Sequence, residues 1–136
     1  WNWKSKRHIS LRLLKVKQRK IFPKQRVGFL ANSFKNAKAD LTTTDATTLY
    51  TVPSATTTIV KSILVSEDSG NADTITVTLT NASSAVFSLF KVKAVAANTT
   101  IELLTAPLVV TESEIIKVTA ATANRLHVVA SLLEVS

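Results

Sequence analysis

The side chains that could do chemistry in this sequence are few and far apart. His8 and His127 are the candidate general bases, and a nucleophilic site would need a serine or threonine beside one of them, with a carboxylate to orient the ring. His8 sits in a run of cations, and His127 lies between Leu126 and Val128 in an aliphatic stretch, where it reads as a strand residue at the rim of a face. With no cysteine there is neither a thiolate nucleophile nor a thiolate metal ligand nor a disulfide framework. Gly28 and Gly70 are the only glycines, which excludes phosphate-binding and dinucleotide-binding loops. The pattern calls for no cofactor and no resident metal, and it points away from an enzyme.

Two other groupings have a chemical rationale. Glu67-Asp68-Ser69-Gly70-Asn71-Ala72-Asp73 gathers oxygen donors as a Ca²⁺ site requires, but it lacks the length and distal bidentate glutamate of an EF-hand loop. It reads instead as a solvated hairpin with Gly70-Asn71 at its tip. The second grouping is the basic run Lys4, Lys6, Arg7, Arg12, Lys15, Lys17, Arg19 and Lys20, continued by Lys24 and Arg26. These cations could displace counterions from a phosphate backbone, and Trp1, Trp3 and Phe22 could stack on bases. A plain solvated or untranslated tail explains the same residues. Binding to a membrane surface would need a clean apolar face, which this segment lacks.

Charge divides the chain at that run. Residues 1–26 carry +10 and no acid, the remainder carries −2, and the total is +8. The sequence pI near 10.1 is therefore a property of the first fifth of the chain. Residues 1–30 form a basic extension without threonine; Leu13, Val16 and Lys20 sketch a helix from His8 to Phe22, which Pro23 would end. A hydrophobic fraction of 46% supplies one core for the rest, and no apolar run approaches the ~18–20 residues that cross a bilayer.

From residue 31 the punctuation is that of an all-β domain. In Asp73–Thr80, Ile75, Val77 and Leu79 alternate with Thr74, Thr76, Thr78 and Thr80, so one face buries aliphatics and the other presents hydroxyls. Further strands are expected at Thr48–Val52, Thr57–Ser66, Ala85–Val92, Thr99–Leu104, Ile115–Thr119 and Arg125–Val135, with Ser33–Leu41 a first strand or arm and Leu108–Val110 leading into Ile115–Thr119. Thr57–Ser66 is apolar on both faces, with Ile59, Ile63 and Val65 opposed to Val60 and Leu64, which suggests a central strand. Seven to eight short strands with turn signals between them indicate an antiparallel β-sandwich or jelly roll. The expected core is Ile59, Ile63, Val65, Ile75, Val77, Leu79, Phe90, Ile101, Leu103, Ile116, Val118, Val128 and Leu132.

Four segments resemble small virion structural proteins of tailed, notably marine, bacteriophages. Ala31-Asn-Ser-Phe-Lys-Asn-Ala37 is similar to their opening phrase, and Leu49–Val65 to their strand-turn-strand segment. Leu108–Ala120 and His127–Val135 resemble their later strands, although the family often has Gly-Asp where this chain has Ser113-Glu114. The resemblance spans residues 31–136. It implies a head-decoration protein, a neck or tail adaptor or a base for fibres, located in the virion and assembled in the host cytoplasm. It also implies partners that are copies of itself and other particle proteins. Family members begin just before Ala31, so residues 1–30 read either as a basic arm or as upstream sequence translated in frame from a chain that begins at Trp1 and has no methionine.

The function expected is thus a non-enzymatic structural protein that docks through β surfaces, with its threonine rows as candidate subunit contacts. A carbohydrate-binding or adhesion module is the alternative on the same architecture. It is less favoured, because Phe34, Tyr50, Phe87 and Phe90 are the domain's aromatics and none is tryptophan. Nucleic-acid binding rests wholly on residues 1–26.

Overall fold

The computed structural model describes residues 31–136, and the sequence expectations for residues 1–30 lie outside them. Nine strands are formed: β1 (Asn32–Asp40), β2 (Thr47–Thr51), β3 (Thr57–Glu67), β4 (Asp73–Thr80), β5 (Val86–Val95), β6 (Thr100–Glu102), β7 (Leu108–Val110), β8 (Ile115–Ala120) and β9 (Leu126–Val135). They build two antiparallel sheets that pack as a β-sandwich. The first has five strands in the order β1-β9-β3-β6, with β7 also paired to β3; the second has four in the order β2-β8-β4-β5.

The alternation of side chains decides what each sheet buries. Leu126, Val128, Ala130 and Leu132 of β9 face inward and are closed off from solvent, as are Ile75 and Val77 of β4 and Ile116 and Val118 of β8. With β3 between β9 and the β6/β7 pair, the expectation of a central strand holds. Nine of the thirteen expected core residues are buried, so the phase of most strands was correctly read. Leu79, Phe90 and Ile101 are partly buried and pack against the core from its margin.

Ile59 is the exception, and its cause is local. Along the β3–β9 ladder Val60 pairs with Leu132 and Ser62 with Ser131, which leaves Lys61 as an extra residue in a bulge. The bulge puts Val60 on the same inner face as Ile63 and Val65 and sends Ile59 outward with Leu64. A strict period of two across Lys61 assigns the first half of the strand to the wrong face.

The Ser66–Ala72 segment is also not a hairpin. β3 and β4 belong to different sheets, so their connection is an arch over the end of the sandwich. Every connection except β4–β5 and β6–β7 crosses between sheets in this way. Gly70 takes φ +84 in the arch, a backbone region that suits glycine. The sequence placed a hairpin there because the turn chemistry of an arch and of a hairpin is the same; only the pairing distinguishes them.

Candidate functional site

His127 projects from the outer face of the five-stranded sheet, opposite Asp40 on β1 and Ser66 on β3. Its Nε2 lies 3.2 Å from Asp40 Oδ1 and its Nδ1 lies 3.5 Å from Asp68 Oδ2. Both ring nitrogens thus face carboxylates, one on β1 and one in the β3–β4 connection. The geometry is that of an exposed cluster of one imidazole and two carboxylates linking β1, β9 and the β3–β4 arch.

The oxygen donors of residues 67–73 point in three directions. Glu67, 2% exposed, turns inward. Its Oε1 accepts the Ser69 amide at 2.7 Å, the Asn71 amide at 3.3 Å and the Ser69 hydroxyl, while Oε2 accepts the Asn98 amide at 2.8 Å. Burial by itself would raise this carboxyl, but the donors outweigh it and hold it at about 2. Asp73 Oδ2 accepts the Thr122 amide at 3.1 Å, and Asp68 turns to His127. Among the described residues no cluster of His, Cys, Asp or Glu is arranged to hold a metal ion.

The other buried or pinned carboxylates are likewise engaged in holding backbone. Between β6 and β7 the edge of β3 has no strand partner, and Glu102 fills that gap: Oε2 accepts the Ile63 amide at 2.8 Å and Oε1 accepts the Ser62 hydroxyl. Burial opposes ionisation there too, yet the hydroxyl and amide donors keep its carboxyl below the ordinary range. Glu134 accepts Lys35 Nζ at 2.7 Å and the Tyr50 hydroxyl at 2.5 Å. Tyr50 thereby turns into the sandwich and is not available as a sugar platform. A shallow, open depression of about 500 Å³ between β4, β5 and the β8–β9 turn is lined mainly by Ala72, Ala94, Val95, Ala96 and Ala121, with Thr74 and the engaged Asp73 as its polar side chains.

What remains is surface, and the two sheets differ in it. The outer face of the four-stranded sheet is hydroxylated: Thr78 lies beside Lys117 and Ser88, and Thr76 beside Thr119. At its open edge β5 exposes Val86, Phe87 and Val92. On the five-stranded sheet, cross-strand register places Phe34, Leu133, Ile59 and Val109 in one row from β1 to β7. Phe34 is 74% and Val109 58% exposed. A second row runs Lys38, Val129, Leu64, Glu102, with polar Asn36, Ser131 and Ser62 between the two rows and Asp40, His127, Ser66 and Thr100 beyond them. The first row forms an apolar band across the sheet, exposed most at its two ends.

The sequence pointed to the threonine rows as contact surfaces and missed this band. Its signal was present: β3 and β9 carry aliphatics on both faces, so part of their apolar surface must face away from the core. The basic candidates Lys4, Lys6, Arg7, Arg12, Lys15, Lys17, Arg19 and Lys20 lie outside the described residues.

No family model and no curated protein sequence matches the chain. The fold does have solved counterparts. One is a protein of Bacillus endospore appendages, described as forming a novel family of disulfide-linked pili; it superposes with a TM-score of 0.51 at 9% identity, over 79% of this chain and 88% of that one. A chain from the infectious bursal disease virus Gt strain aligns with a TM-score of 0.35 at 9% identity, over 77% of this chain and 32% of that one, too weak a likeness to carry an argument. The first likeness establishes a shared β-sandwich fold.

Proposed function

We propose that this chain is a non-enzymatic structural subunit that assembles with copies of itself through its β surfaces. The observation that carries the reading is the apolar band on the outer face of the five-stranded sheet, set against carboxylates engaged in holding backbone, side chains and loops. The subunit fold of disulfide-linked endospore pili supports a role in assembly. This sequence has no cysteine, so disulfides like those of the pili are ruled out between its copies. The phrases at Ala31–Ala37, Leu49–Val65, Leu108–Ala120 and His127–Val135 favour a tailed-phage virion as the setting, with head decoration or a neck or tail adaptor as the role and other particle proteins as partners.

Sedimentation of the full chain over a concentration series, with electron microscopy of the heavy fractions, tests the assembly reading. Ordered multimers are expected, and a monomer at every concentration that also fails to bind purified particles overturns it. Mass spectrometry of purified virions tests the setting. Hundreds of copies per particle would indicate decoration, six to twelve a neck or tail position, and absence would remove the phage reading.

A further inference from the structure

The outer face of the five-stranded sheet carries its own orientation marker. In the row Lys38, Val129, Leu64, Glu102, a cation stands at the β1 edge, an anion at the β6 edge and two aliphatics between them. Glu102 is fixed in place by Ser62 and Ile63, and Lys38 makes no ion pair among the described residues. The neighbouring row, Phe34, Leu133, Ile59, Val109, is apolar from end to end.

Turning a second copy about an axis parallel to the strands, midway between β9 and β3, keeps each row level with itself and reverses it end for end. Lys38 then meets Glu102 of the second copy at both rims. Phe34 meets Val109, Leu133 meets Ile59, and Val129 meets Leu64. The row of Asp40, His127, Ser66 and Thr100 meets its own reversed copy, polar against polar. An axis across the strands would instead set Phe34 against Asp40 and Leu133 against His127, burying carboxylate and imidazole against aliphatics. Only the first axis is complementary in both charge and polarity.

The geometry points to a two-fold dimer in which the five-stranded sheets of two copies stack face to face, strands aligned, with Lys38 and Glu102 paired at the rims. This rests on the reading of the chain as a self-assembling subunit and names the face it uses. Size allows it: β9 is ten residues long, so the face measures about 33 Å by about 19 Å, and two copies together cover roughly 1,200 Å², the lower end of stable interfaces. Lys61, whose Nζ lies 5.4 Å from the centre of the Phe34 ring, lays its stem along the band and carries its charge toward the β1 rim.

The absence of cysteine makes the orientation directly testable in the full chain. Phe34→Cys and Val109→Cys are prepared separately, mixed and mildly oxidised. A disulfide-linked dimer is expected from the mixture and none from Phe34→Cys alone, since those positions sit at opposite rims. Leu133→Lys and Val109→Lys, both on outward positions, are expected to weaken the dimer at least about tenfold in sedimentation while circular dichroism stays unchanged. If the chain self-associates but the mixture does not cross-link, or Phe34→Cys links to itself, this dimer is wrong while the assembly reading stands. If the lysine variants leave self-association intact and abolish attachment to purified particles, the face belongs to another particle protein and the inference falls. A wild-type chain that stays monomeric and binds no particles overturns both.

Discussion

The Tyr50 hydroxyl lies 2.5 Å from Glu134 Oε2, and this contact ties the two sheets together, since Tyr50 is on β2 and Glu134 on β9. Thr58 on β3 completes the bridge with its Oγ1 2.7 Å from the same hydroxyl, and Lys35 on β1 balances the glutamate. Tyr50→Phe keeps the ring and removes the bridge, leaving buried oxygens of Thr58 and Glu134 short of a partner. The expected loss is about 1–3 kcal/mol in urea denaturation, with the unfolding slope unchanged. Burial first, and then Glu134, push the phenol up from 10.0 to about 12. Because the folded state favours the neutral phenol, its contribution is complete below pH 10 and lost as pH rises toward 12. Tyr50→Phe removes that alkaline limb.

At the acid end the decisive group is Glu67, which holds the β3–β4 arch to the Asn98 turn. Its carboxyl is lowered from 4.5 to about 2, so the unfolded chain binds the proton first and stability rises with pH across that interval. The contribution is present above pH 4.5 and disappears as pH falls to about 2. Glu102 and Glu134 shift in the same direction, so the wild type alone cannot apportion the effect. Comparison of chemical denaturation at neutral pH and near pH 2 isolates it. Glu67→Gln should be less stable than wild type at neutral pH and should converge toward it in acid.

Most of the fold was legible because its strands obey local rules. β4 alternates threonine with aliphatic residues without interruption, and in β9 every second residue from Leu126 to Leu132 is aliphatic. Carrying that alternation one step further places Glu134 on the buried face, a sign that a partner was needed, although nothing local identifies Tyr50, 84 residues away, as that partner. Bulges and arches stayed hidden for a different reason. Lys61 is an ordinary strand residue whose displacement exists only relative to Leu132 and Ser131, and the arch after Glu67 differs from a hairpin only in what β3 and β4 pair with. The outer band required the whole register at once, since Phe34, Leu133, Ile59 and Val109 come from four separate strands.

Val92 offers a stabilising change. It sits in an irregular stretch of β5 at φ 53, where a β-branched side chain crowds the backbone, and its amide donates to Thr76 Oγ1 at 3.1 Å. Its side chain is largely in solvent, so little packing is at stake. Asparagine tolerates this backbone region far better. Val92→Asn is expected to gain about 0.5–1 kcal/mol, read as a higher midpoint of thermal unfolding. A lower midpoint would show that Val92 packs more than its exposure suggests.

The bulge at Lys61 leads to a paired deletion experiment. Removing Lys61 joins Val60 to Ser62 and leaves Val60, Ile63 and Val65 alternating regularly with Ser62 and Leu64, so every side chain keeps its face. The deletion forfeits the bulge's twist and the stacking of Lys61 on Phe34, and it should still fold, with a loss of no more than about 1–2 kcal/mol. Removing Leu64, an outward residue on the same strand, is different. Keeping Ile63 inside then sends Val65 outward, and keeping Val65 inside sends Ile63 outward, so one fully buried aliphatic is expelled whichever way the ladder shifts. Each such expulsion costs about 2–3 kcal/mol in transfer alone, before Glu67 is pulled from its amides. Urea denaturation of the two deletions should therefore separate by more than about 2 kcal/mol, with the exposed leucine the costlier residue to lose. Equal losses would mean that the ladder relocates its bulge freely and that the phase of β3 is set elsewhere.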